Sequence, residues 1–192
     1  MTKSVSTVRL LVLGSILRRG IGHGYAVYSD ITSWHADSWT SVKPGSIYHA
    51  LDKLESEGLI KACDSPHHVK LGPSRKEYTI THEGDTQFRT LLELTLVSSD
   101  IQQFSAGIAF MDMLSRNKVI AILQQRRAEL KRSAQFLRSL PIEDVTVDPS
   151  KHPELVGIWV SYVENEAATT TRILEHVQAG KYAFLSERLV EE

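Results

Sequence analysis

The segment from Val42 to Ile60, VKPGSIYHALDKLESEGLI, restricts the fold more than any other part of the chain. Pro44 suits the first turn of a helix, Ser46 can accept hydrogen bonds from the free amides there, and Gly58 can end the helix in a left-handed conformation. Between these ends, apolar side chains recur at i, i+3, i+4 and i+7, namely Ile47, Ala50, Leu51 and Leu54. The spacing predicts an amphipathic helix with a narrow buried face.

Directly after Gly58 the helical spacing of apolar residues gives way to the alternation typical of strands, which predicts a β-hairpin. The sequences LIKAC (59–63) and EYTIT (77–81) are typical of paired strands, and the polar segment between them, DSPHHVKLGPSRK, is typical of a long hairpin tip. Upstream, helical spacing predicts helices over about residues 5–19 and 25–34, with a glycine-rich turn containing His23 between them. Three helices followed by a hairpin predict a winged helix-turn-helix.

The rest of the chain is predicted to be helical. One helix starts near Thr81, a long helical region covers about residues 100–140, and a last helix covers about residues 154–178 after a connector rich in Pro and Asp. The apolar residues of the last helix include Leu155, Ile158, Trp159 and Tyr162. Long amphipathic helices bury their apolar faces either within one chain or against a partner subunit, and we expect a homodimer. The fold class is therefore mainly α, with a winged helix domain over residues 1–98 and a C-terminal helical dimerisation domain over residues 99–192.

Charge and hydropathy narrow the class of protein. The net charge of −1 is divided unevenly: residues 1–90 hold 11 Lys and Arg against 9 Asp and Glu (+2), and residues 91–192 hold 11 against 14 (−3). This weak asymmetry favours the N-terminal half as the part that meets a polyanion. The apolar run from Val8 to Leu17 is too short to span a bilayer and lacks the cleavage site of a signal peptide, so we expect a cytoplasmic protein without membrane contact.

The segment GSIYHALDKLESEGLI, followed after a variable tip by SRKEYTITHEGDTQF, resembles the recognition helix and wing of the PadR family of transcriptional regulators. The wing pattern Arg-x-x-Tyr-x-x-Thr-x-x-Gly is met by Arg75, Tyr78, Thr81 and Gly84. The resemblance covers about residues 7–95. It implies a homodimer whose C-terminal helices cross to the partner, in the branch with a separate helical domain. The wing tip is longer than the family pattern, so helix contacts are carried over more safely than wing contacts.

The predicted helix presents a polar face opposite its apolar stripe. A rotation of 100° per residue places His49, Asp52 and Lys53 there, beside Gly45 and flanked by Ser46 and Tyr48. In a major groove His49 and Lys53 can donate to guanine, and Ser46 and Tyr48 can bond phosphate oxygens. Lys70, Arg75 and Lys76 on the wing would add salt-sensitive contacts. Double-stranded DNA with a palindromic operator is the predicted partner, and repression is the predicted role.

Other functions receive less support from the sequence. There is no phosphate-binding glycine loop, nucleophile elbow or zinc-hydrolase motif, so we predict neither an enzyme nor a cofactor. The lone Cys63, with His67, His68 and His82, matches no closed four-ligand spacing, and no metal site is predicted, although a metal-responsive regulator stays open as an alternative. A winged helix that binds protein instead of DNA is a second alternative. Phe110, Met113 and Trp159 are candidates for binding a small aromatic effector.

Overall fold

A computed structural model describes residues 6–40, 42–63, 76–140 and 153–188 of the 192-residue chain. Its elements, in chain order, are α1 (Thr7–Arg19), β1 (Gly22–His23), α2 (Gly24–Ser33), α3 (Ala36–Trp39), α4 (Pro44–Ser56), β2 (Ile60–Cys63), β3 (Glu77–Ile80), α5 (His82–Val97), α6 (Ile101–Phe110), a 3₁₀ turn (Met111–Met113), α7 (Arg116–Ser139), α8 (Pro153–Gln178) and α9 (Leu185–Arg188). The chain forms two compact units that meet in sequence at Phe110 and Met111.

Helix α1 is the centre of the N-terminal unit. It contacts α2, α4, α5 and α6, and its middle is fully buried from Leu10 to Leu13 and again at Ile16. Gly14 lies against the ring of Phe110, where an added Cβ would approach within 2.6 Å of that ring. A side chain at this position would therefore push α6 away from α1.

The wing strands belong to a three-stranded antiparallel sheet with the order β1-β3-β2. Ile60 lies opposite Ile80 and Lys61 opposite Thr79, which confirms the predicted hairpin pairing. The glycine-rich segment predicted as a turn also contributes β1, in which Gly22 pairs with Tyr78. The hairpin tip, residues 64–75, lies outside the described residues. Together with α1, α2 and α4, the sheet confirms the predicted winged helix-turn-helix.

Helix α5 docks on the sheet through its first turn. Thr81 caps the helix by accepting a hydrogen bond from the Gly84 amide at 3.0 Å, and Gly84 approaches the Leu59 carbonyl so closely that an added Cβ would lie 2.0 Å from its oxygen. Helix α6 then packs on α5 and α1. The domain boundary predicted at residue 98 precedes α6, whereas the compact unit continues to Phe110.

The C-terminal unit is built on a hairpin of the two longest helices, α7 and α8. The predicted helical region of residues 100–140 is interrupted by the 3₁₀ turn, after which Ser115 caps α7. Val163, Ala167, Leu174 and Val177 of α8 are buried, but Leu155, Ile158, Trp159 and Tyr162 are exposed. The first half of α8 therefore carries an apolar stripe on its surface. No helix among the described residues is both long and apolar enough to span a membrane.

Candidate nucleic-acid interface

The residues predicted to begin and end α4 are found at its two ends. Pro44 occupies the first turn, and the Ser46 hydroxyl accepts from the Lys43 amide at 2.9 Å while donating to the Lys43 carbonyl at 2.7 Å. At the other end Gly58 has φ +73°, and the Leu59 amide donates to the Leu54 carbonyl at 2.9 Å. Because these bonds satisfy free backbone groups at both ends, the helix is held at the predicted length.

The buried stripe of α4 turns its polar face outward. Ile47, Leu51 and Leu54 are at most 1% exposed, and they pack the helix on α1 and α2. Ala50, predicted to belong to this stripe, is half-buried and instead lines a surface cleft. His49 and Lys53 are exposed, as are Gly45 and Asp52. The structure therefore places the predicted polar face on the surface of the unit.

Tyr48 stands beside the N-terminus of α2. Its ring lies directly over Gly24, where an added Cβ would come within 2.4 Å of it, so glycine is what allows this approach. The tyrosine is half exposed and lines a cleft of about 320 Å³ with His23, Tyr25, Lys76 and Tyr78. His23, from the glycine-rich segment, lies directly before α2. Its Nδ1 atom accepts a hydrogen bond from the Ala26 amide at 3.1 Å, so His23 caps the N-terminus of this helix.

The described part of the wing brings one predicted cation to this cleft. The Lys76 ammonium donates to the Glu55 carboxylate at 2.5 Å and lies 5.5 Å from the centre of the Tyr78 ring. The hydrogen bond to Glu55 raises the pKa of Lys76, and burial raises the pKa of Tyr78. Lys76 is thus a charged group at neutral pH that is already tied to α4. Lys70 and Arg75 lie outside the described residues.

A second cleft, of about 270 Å³, opens on the other side of α4. It is lined by side chains from the start of α1 and from α4: Ser6, Val8, Arg9, Ser46, His49, Ala50, Lys53 and Leu54. Arg9 forms an ion pair with Glu57, the residue that ends α4. Its hydrogen bond lowers the pKa of Glu57, and the nearby charge of Lys53 adds to this effect. Sequence reasoning assigned no role to Arg9, because its position depends on how α1 packs on α4.

Comparison with known proteins finds a family model that matches most of this unit. The model of the PadR-like family of transcriptional regulators matches residues 12–90. Residues 12–90 are therefore similar to the domain that this family shares. This confirms the resemblance seen in the sequence, and a family of transcriptional regulators agrees with the prediction that the protein is not an enzyme.

Solved structures of PadR proteins are similar to the chain at low sequence identity. PadR of Bacillus subtilis in complex with operator DNA is 20% identical, with 90% of this chain and 99% of that chain covered and a TM-score of 0.40. The same protein with p-coumaric acid is 19% identical, with 93% and 99% covered and a TM-score of 0.36. A PadR family regulator from Clostridium difficile is 28% identical, with 44% and 82% covered and a TM-score of 0.35. No curated protein sequence matches the chain.

The three residues predicted for an effector site lie in different surroundings. Phe110 is fully buried in the N-terminal unit, with its ring edge-on to Trp34 at 5.2 Å and to Phe88 at 5.8 Å. Met113 is buried in the C-terminal unit, and Trp159 is exposed there, edge-on to Tyr162 at 5.8 Å. Phe110 is thus a core residue of the N-terminal unit, and the effector site stays a prediction.

The metal alternative gains no support from the described residues, among which no group of three or more His, Cys, Asp or Glu side chains is arranged to hold an ion. Cys63 is half-buried at the end of β2, and His82 is exposed at the start of α5. His67 and His68 fall in the hairpin tip, outside the described residues.

Proposed function

We propose that the protein is a sequence-specific DNA-binding repressor that acts as a homodimer on a palindromic operator and is released by a small aromatic effector. The observation that supports DNA binding is the exposed polar face of α4, held outward by a fully buried apolar stripe within a PadR-like domain. A helix held in this way is free to enter a major groove, since its buried face stays on its own unit.

The exposed face of α4 and the wing beside it carry side chains suited to bases and side chains suited to phosphates. His49 and Lys53 are exposed on consecutive turns and can donate to guanine O6 and N7. Tyr48 can donate its hydroxyl to a phosphate, and Lys76 can pair with another. Ser46 already hydrogen bonds the Lys43 backbone through its hydroxyl, so a phosphate contact from Ser46 has to share that oxygen. We assign the wing residues Lys70 and Arg75 to phosphate or minor-groove contact.

The apolar stripe on α8 supports the homodimer. Leu155, Ile158, Trp159 and Tyr162 follow i, i+3, i+4 and i+7, and all are exposed, three of them by more than half. Such a stripe is the pattern that a helix buries against a second helix. A second copy of the chain presents the same stripe, and two-fold pairing of two PadR-like domains matches a palindromic operator.

DNA binding is tested with the DNA flanking the protein's own gene, at two salt concentrations and with unrelated DNA as competitor. Lys53→Ala and Tyr48→Ala should each weaken specific binding by roughly 5- to 100-fold, since a good base or charge-assisted contact is worth about 1 to 3 kcal/mol. Tyr48→Phe keeps the ring over Gly24 and isolates the hydroxyl. Lys131→Ala, which removes an exposed charge from α7, is the matched control. Unchanged binding by the Lys53 and Tyr48 variants would contradict the assignment of α4 to the groove.

The same titration separates DNA binding from the protein-interaction alternative. An interface with phosphates weakens steeply with salt, whereas a protein interface of mixed polarity responds much less. Failure of the wild type to bind any DNA at low salt would favour a protein partner for α4.

The dimer is tested by sedimentation equilibrium of the wild type and of Trp159→Ser. The tryptophan side chain is 57% exposed in a single chain, so the substitution should leave the fold intact and weaken the dimer. Leu94→Ser, which changes a similarly exposed apolar residue on α5, is the control. A monomeric wild type, or equal dissociation of both variants, would refute the role of the stripe.

A further inference from the structure

We infer that Arg9, on the first turn of α1, is a DNA-contacting residue that binds a backbone phosphate beside the groove occupied by α4, and that Glu57 positions it. The inference rests on the proposed function, because it adds a contact to the surface proposed to bind DNA. Nothing in the pattern of the α4 motif includes Arg9, which belongs to a different helix.

The position of Arg9 follows from the packing of α1 on α4. Arg9 lines the cleft of about 270 Å³ that also receives His49 and Lys53 from α4. Its side chain is 20% exposed, so the guanidinium is partly sheltered but reaches the surface. Three basic side chains from two helices thus surround one cleft, and two of them come from the face proposed to enter the groove.

Glu57 orients the Arg9 guanidinium but uses only some of its hydrogen-bond donors. The carboxylate pairs with the Nη2 group of Arg9, and a guanidinium carries five N–H donors, so donors are left for a second anion. Lys53 also acts on this carboxylate, because its charge contributes to the lowered pKa of Glu57. Arg9 and Lys53 therefore flank one negative charge, and the group as a whole keeps a net positive charge that an approaching phosphate would feel.

A phosphate is the fitting ligand for this arginine. The planar fork of a guanidinium matches two phosphate oxygens, and holding it in one orientation reduces the entropy lost on binding. Arg9 lies to the side of α4, and a side chain to the side of a groove-bound helix meets the sugar-phosphate backbone before it meets base edges. The contact would strengthen binding to all sequences and fix the register of α4.

The test compares how steeply binding to the flanking DNA falls with salt in four proteins: the wild type, Arg9→Ala, Arg9→Lys and Glu57→Gln. Each phosphate contact contributes about 0.9 to the slope of log K against log salt concentration. Arg9→Ala should reduce the slope by about 0.9 for each protomer bound, and Arg9→Lys should restore it because the charge returns. Glu57→Gln breaks the same ion pair but keeps the cation, so its slope should stay at least as steep as that of the wild type.

Three outcomes overturn the inference. An unchanged slope in Arg9→Ala, with a wild type that binds DNA, shows that Arg9 meets no phosphate. An equal loss of slope in Glu57→Gln shows that the ion pair matters only for the structure. A wild type that binds no DNA removes the proposed function itself, and the inference with it. Thermal midpoints of Arg9→Ala and Glu57→Gln should fall alike, because both lose the same surface pair.

A free phosphate is the other source of the same chemistry, and a separate measurement distinguishes it from DNA. Sodium phosphate is added to the wild type and to Arg9→Ala at constant ionic strength, and the thermal midpoint is followed. An equal change of the midpoint in both proteins on adding phosphate supports DNA as the source of the phosphate. A midpoint that rises with phosphate only in the wild type would show a site for a free anion and would overturn the assignment to DNA.

Discussion

Replacing Glu166 with Ala should destabilise the C-terminal unit more than any single change on its surface. The Arg126 and Glu166 side chains are 1% and 5% exposed, and their Nη2 and Oε2 atoms are 2.6 Å apart in the α7–α8 hairpin. Arg126 also donates to the Thr170 hydroxyl, which is fully buried. Removing the carboxylate takes away the charge that lies 2.6 Å from a buried guanidinium, and the expected cost is about 3 to 5 kcal/mol.

An exposed ion pair on α7 provides the control for this substitution. Glu129 and Arg132 form an ion pair on the same helix with both side chains about two-thirds exposed, so Glu129→Ala should cost less than about 1 kcal/mol. Urea denaturation of both variants, at one protomer concentration, measures the difference. With an m-value of about 1 to 3 kcal/mol per molar urea, the Glu166→Ala midpoint should fall by more than about 1 M.

A double substitution tests the physical reason. Arg126→Met combined with Glu166→Leu removes both charges and leaves apolar side chains in their place, and such exchanges of a buried pair are often neutral or stabilising. The double variant should therefore recover most of the stability lost in Glu166→Ala. A double variant as unstable as the single one, or a Glu166→Ala cost no larger than that of Glu129→Ala, would refute the argument that breaking one side of a buried ion pair sets the cost.

Two further predictions concern the N-terminal unit. Gly84→Ala should lower its stability by roughly 1 to 3 kcal/mol, measured by thermal melting, because the new Cβ meets the Leu59 carbonyl oxygen; Gly45→Ala, with open space around its Cβ, should not lower it. Burial alone would raise the pKa of Asp30, but hydrogen bonds from Arg19 and Ser15 outweigh it and hold the pKa below its usual value. Asp30 therefore stabilises the unit above its ordinary pKa of about 4 and loses this effect as pH falls through the lowered value. Asp30→Asn should be less stable at neutral pH and should lose less stability on acidification, and a parallel pH profile would exclude the linkage.

The sequence predicts those parts of the fold whose signals are local. Pro44 and Gly58 mark the two ends of α4, and the apolar stripe between them defines its buried face, so the helix and its exposed residues follow from one segment. The strands β2 and β3 follow from the change to a period of two. The resemblance to the PadR family adds the domain as a whole, and the family match supports it.

Features that depend on distant parts of the chain could not be predicted in this way. The strand β1 has two residues and exists because β3 offers it a partner more than fifty positions away. Arg9 belongs to the surface around α4 only because α1 packs there. The exposure of Trp159 and its neighbours depends on which half of α8 is covered by α7, whereas helical spacing marks both halves as apolar.

The two surfaces proposed for assembly differ in chemistry, and salt should separate them. The surface proposed to bind DNA combines His49, Lys53 and Tyr48 of α4 with Arg9 of α1, and its attraction to phosphates is weakened as counterions accumulate. The α8 stripe consists of four apolar side chains, and apolar association is not screened by salt. Raising the salt concentration should therefore release DNA while the dimer persists. A dimer that dissociates in step with the loss of DNA binding would mean that charged contacts, and not the stripe, hold the two copies together.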